Sequence, residues 1–320
     1  MAKVSVILPT YNRPFFVAAA IQSVLNQSLQ DFELIVVDDA SMDSTREIVN
    51  QFKDKRIKYI RHEINKGEAA SRNTGILNST GEYIALLDDD DEWFPDKLKV
   101  QVDCLQKRYD DVGCIYCGLI FVHRTDNRIL RQIVPNKKGN IYKEMVSKNV
   151  IDSPSSVVIK RQCFEKVGLF DEDLPYFVDY DFFLRVSKFF SFDYIERPLL
   201  IYYVHEGQLS NDVDVIKKGL EALQKKYSQA NGFGISFQKI YSRFYFQMAF
   251  LYCERNDFTK GREALKKAML SNPLNYKIYF QLLFTLFSYK NYTKLRRMAS
   301  RLLQTLKRRL IAKSNQINIS

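Results

Sequence analysis

Short apolar runs alternate with amphipathic helical patterns over the first 122 residues of the chain. Four runs are typical of strands because they are short and rich in β-branched or aromatic residues: VSVIL (4–8), ELIVVDD (33–39), RIKYIRH (56–62) and EYIALLDDD (82–90). Each precedes a stretch with helical spacing of its apolar residues, at 15–27, 44–52, 68–79 and 95–109. Strands separated by helices of this length predict βαβ units and a mostly parallel sheet flanked by helices.

The pattern changes twice further along the chain. Residues 124–140 are typical of a hairpin or loop region, and SSVVIK (155–160) predicts one more strand before a helical stretch at 179–189. Beyond residue 213 the spacing is helical throughout, and residues 244–275 resemble one tetratricopeptide repeat, with an ordinary helical hairpin as the alternative. We therefore predict an α/β domain over 1–212 and an all-α region over 213–320.

The balance of charged residues also changes near residue 212. The net charge of +11 combines 21 basic and 5 acidic residues in 213–320 with 27 basic and 32 acidic residues in the first 212. Residues 289–313 interleave basic and apolar side chains at helical spacing. Contact with a membrane surface and contact with a protein, including self-association, are equally compatible with this pattern. Nucleic acid is disfavoured as a partner because no nucleic-acid-binding motif is present.

Cysteine usage and hydropathy favour a cytoplasmic protein, either free or held peripherally on the inner face of the membrane. Cys114 and Cys117 form a single C-x-x-C inside the strand-like run VGCIYCGLIFV, which indicates core thiols rather than a zinc or redox site. The apolar run Val4–Leu8 is too short for a signal sequence. The twelve-residue stretch 278–289 is too short to cross a bilayer.

Four aspartates follow an apolar strand in LLDDDDEWFP (86–95). Adjacent carboxylates repel unless a cation joins them, and Mg²⁺ or Mn²⁺ prefers carboxylate oxygens together with substrate phosphates. In open α/β sheets, ligands bind beyond the carboxyl ends of the strands. We therefore expect PTYNR (9–13), Asp38-Asp39 and the aspartate run to meet at one edge of the sheet. A solvated acidic turn is the alternative for the run taken alone.

Six motifs together resemble glycosyltransferase family 2, whose members have the GT-A fold. They occur in the expected order over about residues 1–210: VSVILPTYNR (4–13), SVLNQS (23–28), FELIVVDDASMDST (32–45), NKGEAASRNTGI (65–76), GEYIALLDDDDEWFPDKL (81–98) and VDYDFFLRV (178–186). The resemblance implies a Rossmann-like α/β fold and transfer of a sugar, with inversion, from a nucleotide-diphosphate donor.

The resemblance also implies roles for residues that match the family's motifs. Within the aspartate run, Asp90 would bind Mn²⁺ or Mg²⁺, and Asp88 and Asp89 would contact the ribose and help to place the diphosphate. Asp91 is assigned no role in the donor site, and we expect it to cap or support the helix that begins near Pro95. Trp93 either stacks on a sugar or plugs the core beneath the loop.

For the nucleotide, the resemblance places Thr10 and Tyr11 along the base pocket and has Asp39 accept the N3–H of uracil. Arg13 and Arg72 match positions near the nucleotide, where a guanidinium suits phosphate geometry. A surface ion pair is the alternative role for Arg72.

Asp179 matches the family's catalytic base, which deprotonates the attacking hydroxyl. The family usually has Glu-Asp here, whereas this chain has Val178 before Asp179. Asp181 is the competing candidate, and if the stretch is helical only one of the two can face the site. His205 matches a histidine near the metal or acceptor, although a lone histidine is more often structural.

The combined interpretation is an inverting, metal-dependent glycosyltransferase. Its donor would be a nucleotide sugar, UDP-linked by preference, and its acceptor a glycan or lipid-linked hydroxyl in cell-surface polysaccharide synthesis. A nucleotidyltransferase is the enzymatic alternative, but PTYNRPFF is not the Gly-rich basic loop such enzymes carry. An inactive GT-A domain serving as a helical-repeat scaffold is the alternative without catalysis.

Overall fold

The computed structural model describes residues 2–107, 111–205, 207–228 and 238–285. The chain forms two compact units that divide after residue 235. In the first unit the elements are β1 (Val4–Thr10), α1 (Pro14–Leu25), β2 (Phe32–Asp38), α2 (Thr45–Gln51), β3 (Ile57–Arg61), α3 (Glu68–Leu77), β4 (Tyr83–Leu86), β5 (Asp91–Trp93), α4 (Lys97–Lys107), β6 (Val112–His123), β7 (Ile129–Ile133), α5 (Tyr142–Ser147), β8 (Val157–Lys160), α6 (Arg161–Val167), α7 (Val178–Ser187), β9 (Ser191–Val204) and α8 (Val213–Ser228). The second unit contains α9 (Gln238–Glu254), α10 (Phe258–Ser271) and α11 (Tyr276–Phe284).

One mixed sheet organises the described part of the first unit. Its strand order is β3-β2-β1-β4-β8-β6-β9-β5, and β7 pairs with β6 as a hairpin. Strands β3, β2, β1 and β4 run parallel, as the βαβ pattern predicts, whereas β8 pairs antiparallel with both β4 and β6. Thr10 lies opposite Asp38 in the register, so the carboxyl ends of β1 and β2 reach the same edge.

Close packing of α3 on β1 determines which side chains reach that edge. Every residue of β1 is buried, as expected for a strand covered on both faces. A Cβ at Gly75 would collide with the side chain of Ile7, so only glycine permits α3 to lie this close to the strand. The helix consequently holds Arg72 at the sheet edge, where its side chain is only 2% exposed.

The acidic loop leaves the sheet earlier than predicted. Strand β4 ends at Leu86, and the aspartates form a loop and the short strand β5. Asp91 pairs with Tyr202 of β9 and is 1% exposed, so the expectation that it supports the next helix is wrong. Trp93 is 4% exposed and its Nε1 donates to the carbonyl of Ser155. Of its two predicted roles, Trp93 therefore has that of a core plug.

Helix α8 belongs to the first unit. Its apolar residues Val213, Ile216, Leu220 and Leu223 are buried, and a Cβ at Gly219 would meet Tyr176. The boundary predicted after residue 212 therefore precedes a helix that the structure places in the first unit.

The polar end of α8 neutralises a buried carboxylate of α7. Asp181 is fully buried and accepts hydrogen bonds from Arg185 Nε (2.9 Å) and the Tyr227 hydroxyl (2.7 Å). Lys226 Nζ lies 2.7 Å from the same carboxylate and 2.6 Å from Asp171. A buried charge is tolerated only when it is paired. Helix α7 therefore depends on the partners that α8 supplies to the carboxylate of Asp181.

The second unit is helical, as predicted for this region. Gly261 of α10 lies against α9, where a Cβ would meet Cys253, and Leu265 and Ala268 are buried on the same side of the helix. The tetratricopeptide-like assignment stays a prediction, and the basic segment 289–313 lies outside the described residues. No helix in the described ranges has the length and apolarity needed to cross a membrane.

Two thiols and one lysine side chain are buried in the first unit. Cys114 and Cys117 of β6 are buried free thiols, in agreement with the predicted core role. Lys97 is fully buried, and its Nζ lies 4.0 Å from the centre of the Trp93 ring without a hydrogen bond to any described residue. Burial lowers the pKa of Lys97 to about 8, although Cys117 acts in the opposite direction.

Replacing Lys97 with methionine should stabilise the protein by on the order of 2 kcal/mol at pH 7, because the variant keeps the apolar stem and removes a buried charge. Between a folded pKa of about 8 and an unfolded pKa of about 10.4, the unfolded state binds more protons. The stability of the wild type should therefore rise with pH in that window. Urea unfolding at pH 7 and pH 9.5 measures both effects.

The control for this experiment is Lys99→Met, which removes an exposed lysine of the same helix. It should leave the pH slope of stability unchanged. Equal slopes in the wild type and Lys97→Met would show that Lys97 does not titrate in this window.

Replacing Asp181 with asparagine should lower the free energy of unfolding by about 3 kcal/mol, since one partner of a buried ion cluster is removed. Asp179→Asn is the matched control, because the altered side chain lies two residues away on α7, on a different side of the helix, and outside the Arg185–Tyr227 cluster. Denaturant unfolding of both variants measures the difference. A loss of stability of the same size in both would contradict a distinct structural role for Asp181.

Candidate active site

Polar side chains from the ends of β1 and β4 contact one another directly. Thr10 Oγ1 donates to Asp89 Oδ2 at 2.8 Å. Arg13 Nη1 donates to Asp89 Oδ1 at 2.9 Å and to Asp90 Oδ2 at 3.0 Å. The prediction that these strand ends meet at one edge is confirmed. Burial raises the pKa of Asp89 to about 6, even though Arg13 and Thr10 act to lower it.

Asp90 has a second neighbour besides Arg13, the imidazole of His205. His205 Nε2 lies 2.9 Å from Asp90 Oδ2, and the imidazole stacks on Phe16 with ring centres 5.0 Å apart. Burial favours the protonated acid, but His205 and Arg13 outweigh it and lower the pKa of Asp90. The two residues predicted as metal ligands, far apart in the sequence, are therefore adjacent in the fold.

Asp88 is also paired with an arginine. Arg72 Nη2 donates to Asp88 Oδ1 at 2.6 Å and also pairs with Glu68 one turn earlier on α3. The guanidinium lies 5.5 Å from the centre of the Phe170 ring. Because Arg72 is almost wholly buried, the surface ion pair considered from the sequence is wrong. The motif NKGEAASRNTGI contains Glu68, but its charge alone does not indicate a position in the site.

Asp179 lies in the first turn of α7, two residues after Phe177, which adopts a left-handed conformation (φ 66°). Burial raises the pKa of Asp179, against the lowering effect of Arg72, and the negative charge of Asp88 raises it further. Asp179 therefore interacts electrostatically with the Arg72–Asp88 pair. Asp181 instead faces α8, where Arg185 and Tyr227 occupy its carboxylate, which leaves Asp179 as the candidate base.

Asp39 is at the same edge but does not join the aspartate run. Its backbone N–H donates to the carbonyl of Thr10 (2.9 Å). Its carboxylate accepts hydrogen bonds from His62 Nδ1 (2.7 Å) and from the backbone N–H groups of Lys66 (2.8 Å) and Gly67 (2.7 Å). Nothing in the sequence motif indicates the role of His62, because the contact spans 23 residues.

Tyr11 completes the set of predicted nucleotide-binding residues. It follows β1 directly and is 44% exposed, whereas Thr10 beside it is buried. An exposed ring beside a polar strand end is suited to stacking on a planar ligand.

The donor atoms at this edge fit a divalent cation. No described group of three or more His, Cys, Asp or Glu side chains has the arrangement of an all-protein metal site. Asp90 and His205 nevertheless direct a carboxylate oxygen and an imidazole nitrogen at one another. Two protein ligands suit Mg²⁺ or Mn²⁺ that completes its coordination with water and phosphate oxygens.

Comparison with known proteins gives several matches. The family model described as glycosyl transferase family 2 matches residues 5–168. An uncharacterised glycosyltransferase of Methanocaldococcus jannaschii is 34% identical over 231 residues, which are 70% of this chain and 76% of the relative. The UDP-Glc:alpha-D-GlcNAc-diphosphoundecaprenol beta-1,3-glucosyltransferase of Escherichia coli is 44% identical over 135 residues, which are 42% of this chain and 52% of that enzyme.

Among solved structures, the mannosyltransferase PcManGT from Pyrobaculum calidifontis, in complex with GDP-Man and Mn²⁺, has a TM-score of 0.59 to this chain. The match covers 94% of this chain and 85% of that one at 18% identity. The predicted fold, an α/β domain of the GT-A type followed by helices, is thereby confirmed. On the family match over residues 5–168 and the archaeal relative, the chain belongs to glycosyl transferase family 2 and is a glycosyltransferase.

Proposed function

We propose that the protein transfers a sugar, with inversion and with the help of Mn²⁺ or Mg²⁺, from a UDP-linked donor to a hydroxyl of a lipid-linked or glycan acceptor. The observation that carries this proposal is the meeting of Asp88, Asp89 and Asp90 with Arg13 and Arg72 at the carboxyl edge of the parallel strands. The Escherichia coli relative, whose name specifies UDP-Glc and a diphosphoundecaprenol acceptor, supports the donor and acceptor classes.

Asp90 and His205 are the residues that would hold the metal. Their facing atoms lie 2.9 Å apart, a separation that allows both to bind one ion. The bound ion would neutralise negative charge that develops on the departing diphosphate. The Mn²⁺ in the mannosyltransferase complex supports a divalent ion in this fold.

Arg13 and Arg72 orient the aspartates and present guanidinium groups at the same edge. Arg13 contacts two carboxylates at once, and its Nη2 lies 3.3 Å from the carbonyl of Gly207. A planar guanidinium binds phosphate oxygens as readily as carboxylates. Arg13 and Arg72 are therefore suited to bind the diphosphate, while Thr10, Tyr11 and Asp39 line the base side of the site.

Asp179 would act as the base that takes the proton from the acceptor hydroxyl. Its pKa is raised by burial, so its carboxylate binds a proton more strongly than an exposed aspartate does. It comes from α7 rather than from the acidic loop, which allows it to approach the sugar from a different side than the diphosphate. Inversion needs this separation of base and leaving group.

A second role concerns the C-terminal unit. Attachment to a membrane surface and contact with a protein both stay predictions, because the basic segment 289–313 that motivates them lies outside the described residues. Nucleic acid stays disfavoured on the absence of a sequence motif.

Wild-type protein should bind UDP at least tenfold more tightly with Mn²⁺ than without it, and Asp90→Ala should remove this difference, because the proposed metal contact is lost. Isothermal titration calorimetry with and without Mn²⁺ measures both affinities. Asp96→Ala is the control, since Asp96 is exposed in the same segment and pairs only with Arg197 on the surface. Metal-independent UDP binding by the wild type would contradict the metal role, and absence of UDP binding would contradict the transferase proposal.

Asp179→Asn should bind UDP and Mn²⁺ like the wild type but lose at least about 100-fold in turnover, as expected for removal of a general base. Since the base works only when ionised, wild-type turnover should rise as pH increases through the raised pKa of Asp179. A panel of nucleotide sugars assayed for donor hydrolysis and transfer provides the rates. Full turnover by Asp179→Asn would contradict the assigned base.

A further inference from the structure

We propose that His62 is a positioning residue that restricts the base site to uracil, an inference that rests on the proposed nucleotide-sugar function. His62 follows β3 and lies behind Asp39, the residue assigned to the base. Its two ring nitrogens face Asp39 and Thr74, so neither is directed at a ligand. Its effect on the ligand passes through the hydrogen-bonding capacity of Asp39.

The carboxylate of Asp39 is nearly saturated. A carboxylate offers about four acceptor positions, two on each oxygen. Oδ1 accepts from His62 Nδ1 at 2.7 Å and from Lys66 N–H at 2.8 Å, so both of its positions are taken. Oδ2 accepts from Gly67 N–H at 2.7 Å. One acceptor position, on Oδ2, is left for a ligand.

Both ring nitrogens of His62 have hydrogen-bond partners. Nδ1 faces a carboxylate and therefore carries the proton that it donates to Asp39. Nε2 lies 2.9 Å from Thr74 Oγ1, on α3. In neutral His62, Nε2 accepts the hydroxyl proton of Thr74, which fixes both the tautomer and the ring orientation. Thr74 therefore keeps Nδ1 directed at Asp39.

Nucleobases differ in the donors they present to such a group. Uracil has a single N3–H, which one acceptor position satisfies. Guanine presents N1–H and an N2 amino group side by side and is best bound by both oxygens of a free carboxylate. Cytosine has an unprotonated N3, whose lone pair repels a carboxylate. A single remaining acceptor position therefore favours uracil over guanine, whose second donor would stay unpaired, and the carboxylate itself disfavours cytosine.

The amides of Lys66 and Gly67 cannot provide this restriction alone. They precede α3 and hold Asp39 to the start of that helix, but each occupies a different oxygen. His62 is the donor that takes the second position on Oδ1. Without it, both oxygens have a free position, which is the arrangement that guanine needs.

The experiment measures the affinities of UDP, GDP and CDP by calorimetry in the presence of Mn²⁺, using the full chain. Wild-type protein should prefer UDP to the other two at least about tenfold. In His62→Leu the preference for UDP over GDP should fall at least about fivefold while the preference over CDP persists, whereas His62→Asn, which places an amide N–H near the position of Nδ1, should keep the wild-type preference. Thr74→Val should reduce the preference by a smaller factor, because it only frees the ring. His123→Leu, a histidine on the surface that contacts Asp126, is the control.

The outcomes separate this inference from the transferase proposal. If His62→Leu weakens all three nucleotides by the same factor, His62 only supports the fold and the inference is overturned. Equal wild-type affinity for the three nucleotides overturns it as well, while leaving nucleotide-sugar transfer intact. A wild type that binds none of them overturns the transferase proposal itself. Should His62→Leu fail to fold, an unchanged preference in Thr74→Val overturns the inference.

Discussion

Mutual repulsion among carboxylates at one edge of the sheet is the constraint on which the site depends. Among the described residues, Asp88, Asp89, Asp90 and Glu68 are paired there with the guanidinium groups of Arg13 and Arg72. The partial burial of these side chains weakens screening by water, so the remaining negative charge is felt strongly. A divalent cation and the arginines together would offset more of the negative charge of the carboxylates and a diphosphate than either could alone.

The positions of the two arginines follow from the backbone. Arg13 comes three residues after the end of β1 and reaches across to the loop that follows β4. Arg72 reaches the edge because α3 packs closely on β1 at Gly75. The same helix begins next to the Asp39–His62 pair. Arg72 and the Asp39–His62 pair are therefore both positioned by the packing of this one helix.

Much of this arrangement could be predicted from the sequence. The four βαβ strands, the hairpin after β6 and the meeting of polar strand ends all follow from periodicity and from the rule that ligands bind at the carboxyl ends of parallel strands. What could not be predicted are contacts between residues distant in sequence, such as Asp181 with Tyr227, 46 positions apart. The motif VDYDFFLRV presents Asp179 as the base and Asp181 as a competing candidate, and the packing of α8 against Asp181 separates them. The position of Asp91 in β5 likewise depends on pairing with β9, which no local pattern encodes.

Helix α8 also shows that the part of the chain that must fold together extends beyond the part that matches the family. The family match ends at residue 168, before α7, and the charge pattern changes near residue 212. Neither limit includes Lys226 and Tyr227, which the buried Asp181 requires. A fragment designed from either limit would carry an underpaired internal charge on the helix that also bears Asp179. The shortest fragment able to preserve that helix must therefore extend to the end of α8, well beyond the residues that match the family.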